Sequence, residues 1–146
     1  MKFILNLIIV LSFLFTQCKV DAPIPIYGKF GEDFTLKYRQ CIILSDSLEA
    51  DNNIEDDETV KVCFKQFIKE NRCPKCVWQG EAIIEILFKL NEEKKLSLKL
   101  STYYNHFTPI DTLGYKIRIL GLKPEPKRWG QKFRRSKYKA FLNVSK

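Results

Sequence analysis

The chain is poor in the residues from which active sites are usually built. It has a single histidine, His106, with no serine or cysteine nucleophile at motif spacing. No nucleophile elbow, paired-carboxylate site or phosphate-binding glycine loop is present. No segment carries a long 3.6-residue period with caps, which argues against a helical fold, and no internal repeat suggests a solenoid. After residue 15 there is no apolar run of bilayer length, and no C-terminal hydrophobic tail suggests a lipid anchor. Residues 45–58 contain seven acids and no basic residue. These gaps point to a protein that is not an enzyme, with no cofactor and no bound metal expected.

What is present begins with Lys2 and the nearly unbroken apolar run of residues 3–15. The run is too short to span a membrane comfortably, has the length of a signal-peptide h-region, and ends in polar residues. Residues 1–18 are therefore expected to be an export signal. Cleavage after Cys18 is preferred to cleavage after Ala22, which would leave Pro23 first. The mature chain should be secreted, extracellular and soluble. Four cysteines then remain, Cys41, Cys63, Cys73 and Cys76, and an even count in a short exported chain reads as a disulfide framework. Three pairings are possible. A strand–turn–strand reading favours Cys63 joined to Cys73 or Cys76 across the turn, with Cys41 taking the other.

Period-two alternation dominates the rest. Phe34, Leu36 and Tyr38 alternate with Thr35, Lys37 and Arg39, and the run continues to Leu44. Val60, Val62 and Phe64 resume the pattern after the acidic loop. Residues 77–90 read as strand broken near Gly80, in preference to a short helix. Leu96, Leu98 and Leu100, then Tyr115, Ile117 and Ile119, alternate cleanly, and residues 138–144 suggest a last strand. Short strands separated by turns imply a mostly β chain folded as an antiparallel β-sandwich, spanning residues 23–122.

Charge is segregated. Residues 123–146 hold nine basic residues and one acid, Glu125, a difference equal to the chain's net charge of +8. Pro124 and Pro126 set this basic C-terminal segment apart. Trp129, Phe133, Tyr138 and Phe141 are interleaved with Lys127, Arg128, Lys132, Arg134, Arg135, Lys137 and Lys139. Such a segment either binds a polyanion or is a solvated tail that keeps the protein soluble. For an exported chain the expected polyanions are sulfated glycosaminoglycan and anionic lipid, and no nucleic acid is expected. Lys132-Phe133-Arg134-Arg135 also has the form of a dibasic processing site.

Other motifs are weaker. Cys73-Pro74-Lys75-Cys76 has the spacing of thiol oxidoreductases, but the flanks read as turn and strand and not as a helix start inside a βαβ unit. Zinc on these cysteines with Cys63 and His106 would need a second paired-ligand knuckle. The acidic loop lacks the spaced carboxylate pattern of a calcium loop. Asn143-Val144-Ser145 is an N-glycosylation sequon.

The stretch Val60-Lys61-Val62-Cys63-Phe64-Lys65-Gln66-Phe67, followed by Cys73 or Cys76 and then Gly80, resembles the N-terminal module of Notch ligands of the Delta/Jagged type. The stretch from Gly28-Lys29-Phe30 to Cys41 is similar to that module's opening strand. Ile86-Leu87-Phe88-Lys89-Leu90 with Leu96-Ser97-Leu98-Lys99-Leu100 resembles a later strand pair. The stretch from Tyr115 to Trp129, and then Lys137-Tyr138-Lys139-Ala140-Phe141, resembles the approach to the cysteine-rich receptor-binding module that follows in the family. The resemblance implies a β-sandwich of the kind used by calcium-dependent phospholipid-binding domains, and a cell-surface receptor, Notch-like, as partner. The family's six-cysteine module has no counterpart here, and the loop of residues 45–58 lacks the family's extra cysteines. The expectation is a secreted, disulfide-bonded interaction protein that modulates a receptor. The alternatives are a heparan-sulfate or anionic-membrane binder acting through residues 123–146, and a thiol oxidoreductase.

Overall fold

A computed structural model describes residues 26–46, 58–73, 75–77, 80–91, 94–103 and 109–146. The expected leader, most of the acidic loop and His106 lie outside the described residues. The described residues form nine strands: β1 (Ile26–Lys29), β2 (Asp33–Lys37), β3 (Cys41–Ser45), β4 (Val60–Glu70), β5 (Ala82–Leu90), β6 (Lys94–Ser101), β7 (Ile110–Thr112), β8 (Tyr115–Lys123) and β9 (Lys139–Ser145). A 3-10 turn, Arg135–Lys137, precedes β9. The strands make two sheets, one of order β1-β3-β4-β5-β6 and one of order β2-β9-β8-β7.

The alternation explains the layering. On β8, Tyr115, Ile117, Ile119 and Leu122 are buried while Lys116, Arg118 and Lys123 are exposed. On β9, Ala140, Leu142 and Val144 are buried and Lys139 is exposed. The first sheet contributes Val60, Val62, Phe64, Ile84, Ile86 and Phe88 to the same core. Rings meet across the two layers: Phe88 lies 5.5 Å from Tyr115, and Phe67 stacks on Tyr138 at 4.3 Å. Each large buried side chain contributes roughly 1.5–3 kcal/mol by leaving water, which offsets the entropy lost in ordering the strands.

Three expectations need correction. The run of residues 34–44 is not one strand. Tyr38-Arg39-Gln40 is a corner, with Arg39 at φ 65, the Gln40 N–H donating to Lys37 O, and Gln40 Oε1 accepting from the Lys37 N–H. It carries the chain from β2 in the second sheet to β3 in the first. The sheets are also not wholly antiparallel, because β1 pairs parallel to β3. Residues 123–146 are not an appendage, because their last third is β9, an inner strand held between β2 and β8.

The disulfides are Cys41–Cys63 and Cys73–Cys76, not a bridge from Cys63 across a turn. Strand geometry gives the reason. Cys63 sits inside β4, seven residues before Glu70, and about 3.3 Å per residue carries the strand end more than 20 Å away. Cys41 opens β3 directly opposite Cys63 in the β3–β4 ladder. The second bridge closes the turn in which the Cys76 N–H donates to Cys73 O.

Candidate polyanion-binding surface

Strand directions decide which loops share an end. β2, β4, β6 and β8 finish at the end where β3, β5, β7 and β9 begin. Arg72 locks that end together. Its guanidinium donates to both Glu70 oxygens (2.8 and 2.6 Å), to Leu122 O (2.5 Å) and to Pro124 O (2.8 Å). The Tyr138 hydroxyl donates to Glu70 from the far side at 3.1 Å. The Arg72 and Glu70 side chains are 11% and 4% exposed, and three of these charge-assisted bonds (about 1.5–3 kcal/mol each is typical), to Leu122 O, to Pro124 O and from Tyr138, hold the end of β4 to the crossing between β8 and β9.

This anchor turns residues 124–138 into an ordered shelf. Pro126 and Tyr138 are buried and Phe133 is half-buried against Tyr138. The Lys127 N–H donates to Gln131 Oε1, and the Gln131 N–H donates to Arg128 O. Between those fixed points Lys127, Arg128, Lys132, Arg134, Arg135 and Lys137 all stand exposed, as does Lys139 on β9. Trp129, 76% exposed, projects among them.

The fold adds residues that the C-terminal segment does not contain. Lys139 is directly opposite Lys37 on β2 and Lys123 on β8, so three lysines form one rung across three strands. Lys37, Lys123 and Lys139 are exposed on the outer face. Next to the rung, the Arg39 guanidinium lies 5.4 Å from the Tyr38 ring centroid. Hydrogen bonding to Arg39 first, and more weakly to Arg135, lowers the Tyr38 hydroxyl from its ordinary value. Glu125 offsets part of this charge by pairing with Lys123 at 2.7 Å. Like charges directly opposite in a sheet are destabilising, so a rung of three is a cost to folding that a bound polyanion would relieve. Lys37 and Arg39 lie outside the dense basic run of residues 123–146. Their only signal was their place at outward positions of the alternating run of residues 34–44.

The remaining candidates are placed plainly. Cys73 and Cys76 lie in the connection from β4 to β5, Cys73 is 4% exposed, and among the described residues no helix starts there. Cys63, Cys73 and Cys76 are all disulfide-bonded, which removes the thiolates zinc would need. Asn143 faces outward on β9, but its Nδ2, the atom a glycan would occupy, donates to Gly31 O (2.9 Å) and Asp33 Oδ1 (2.7 Å). Comparison with family models, curated proteins and solved structures finds no match to this chain.

Proposed function

We propose that the protein is an extracellular interaction protein that holds a sulfated glycosaminoglycan through its basic end. The observation that carries this reading is the convergence of Lys37, Arg39, Lys123, Arg135 and Lys139, from three separate stretches of chain, onto one end of the molecule. Two disulfides favour an oxidising compartment such as the extracellular space. Exposed Trp129 supplies an apolar face beside Lys127 and Arg128, as a sugar-binding surface needs. The test is retention on heparin resin, with Arg134→Gln and Arg135→Gln combined as the variant. These two side chains are exposed, so the fold should survive. The variant should elute at clearly lower salt. Co-elution with the wild type, or binding to phosphatidylserine vesicles with no retention on heparin, would count against the reading.

A second reading keeps the Notch-ligand resemblance and a receptor as partner. The two-sheet architecture, with β4, β5 and β6 as successive antiparallel neighbours, supports it. It predicts saturable binding to a Notch-type ectodomain and calcium-dependent contact with phospholipid. Absence of both at micromolar concentrations would end it.

A further inference from the structure

The outer face of the first sheet carries a second lysine rung. On β4, β5 and β6 the inward positions fill the core, and the outward ones fall in register as Lys61, Lys89 and Lys95. Lys99 follows two rungs beyond, past the Leu87–Ser97 pair and opposite Glu85. Lys61, Lys95 and Lys99 are exposed and Lys89 is half-buried. The two carboxylates described on this face are already engaged. Glu85 is 7% exposed and accepts from Lys65 (2.8 Å), Gln66 and Ser97. Glu81 accepts from Lys69 and Ser101, each at 2.9 Å. Lys61, Lys89 and Lys99 are therefore in excess of the acids described on this face.

The two rungs lie on opposite faces and toward opposite ends. The Lys61–Lys89–Lys95 rung sits beside the Val60–Leu90 pair, at the end where Phe88 meets Tyr115. The Lys37–Lys139–Lys123 rung sits at the end fixed by Glu70, Arg72 and Tyr138. Two packed sheets, about 10 Å apart before their side chains are added, separate them. A flat bilayer cannot touch both at once, whereas separate chains can each follow one. A lysine also suits a sulfate as a compact point charge, without the fork geometry that arginine brings to carboxylates.

We infer that the outer face of the first sheet, through Lys61, Lys89 and Lys99, is a second binding surface for sulfated polysaccharide, and that one copy bridges two chains. The inference rests on the ligand class proposed above but uses different residues. The test compares the wild type, a face variant (Lys61→Gln, Lys89→Gln, Lys99→Gln) and an end variant (Lys37→Gln, Arg134→Gln, Arg135→Gln), each first shown to melt cooperatively. Each is run on heparin resin and titrated with long heparin while turbidity is read. The wild type should give a bell-shaped turbidity curve, lost when a heparin tetrasaccharide replaces the long chain. Both variants should stay on the resin, elute at lower salt, and give no turbidity. A face variant that elutes and clouds like the wild type would overturn the inference. An end variant that elutes with the wild type, while the face variant is shifted, would instead defeat the basic-end reading and leave the face as the binding surface. Turbidity with phosphatidylserine vesicles and none with heparin would overturn it in favour of membrane.

Discussion

At the residue scale, buried charge governs. Removing Arg72 leaves Glu70 buried without its cation and frees the carbonyls of Leu122 and Pro124. Breaking a buried pair from one side costs about 3–5 kcal/mol. Arg72→Ala should therefore lower stability by that amount in urea, and Arg72→Lys, which loses the fork, should recover only part of it. Glu85 behaves differently. Hydrogen bonding to Lys65 first, then Ser97 and Gln66, holds its carboxyl down to about 2. Because the folded value lies below the unfolded one (roughly 4.3), its stabilisation is complete above that value and is lost as pH falls toward about 2. Thermal melts of Glu85→Gln should accordingly show a shallower loss between those limits than the wild type. Equal slopes would contradict the assignment. Gly80 is fixed by geometry. It has φ +66, and a Cβ there would lie 1.8 Å from Asn71 O. Gly80→Ala must move backbone as well as adopt a strained conformation, so a loss of more than about 1 kcal/mol is expected.

At the element scale, the two disulfides should be unequal. Cys41–Cys63 spans 22 residues and ties neighbouring strands, whereas Cys73–Cys76 spans three. Loop-closure arguments put the first at about 3 kcal/mol and the second well below. Denaturant midpoints of the paired serine variants should differ in that order, and equal midpoints would contradict it. The same scale shows why deleting residues 127–146 cannot probe the basic segment: it removes β9 and the inner ladders of the second sheet. A truncated chain should fail to melt cooperatively, while charge substitutions on the exposed shelf should not.

Much of this layer was legible. β4, β6, β8 and β9 follow the alternation of Val60–Phe64, Leu96–Leu100, Tyr115–Ile119 and Ala140–Val144. What alternation could not give was sheet membership. Phe34–Leu44 keeps an extended pattern through a corner, because period two is the same on either side of Arg39. The cysteine pairing was hidden for a related reason: it depends on which strands are neighbours, and Cys41 meets Cys63 only through the β3–β4 register. β1 and β7 are four and three residues long, too short to show a period. Of the basic end, Lys127 to Lys139 was readable as a dense run. Lys37 and Arg39 were not, since each is one outward residue of a strand or corner more than 80 residues away, joined to the rest only by the β2–β9 ladder.

At the scale of the whole molecule, charge is distributed with direction. The basic shelf and the Lys37–Lys139–Lys123 rung occupy one end, while Asp46, Glu58 and the flanks of the acidic connection between β3 and β4 lie at the other, where Lys146 pairs with Asp46 at 2.5 Å. Such an axis should turn the basic end first toward a polyanion, the Lys61–Lys89–Lys95 rung lying toward the acidic end, and should make any such association salt-dependent. Counterion release gives that dependence a slope: each phosphate-like contact removed should flatten the plot of log affinity against log salt by roughly one unit. Arg134→Gln with Arg135→Gln should flatten it by about two.

The most direct test of the basic-end account is to map backbone amide shifts of the isotopically labelled protein as a heparin hexasaccharide is added. The account predicts that residues 37–39 move together with Lys123 and with residues 127–139, at one saturating ratio. Shifts confined to residues 127–139, with Lys37 and Arg39 unmoved, would contradict the convergence on which the proposed function stands.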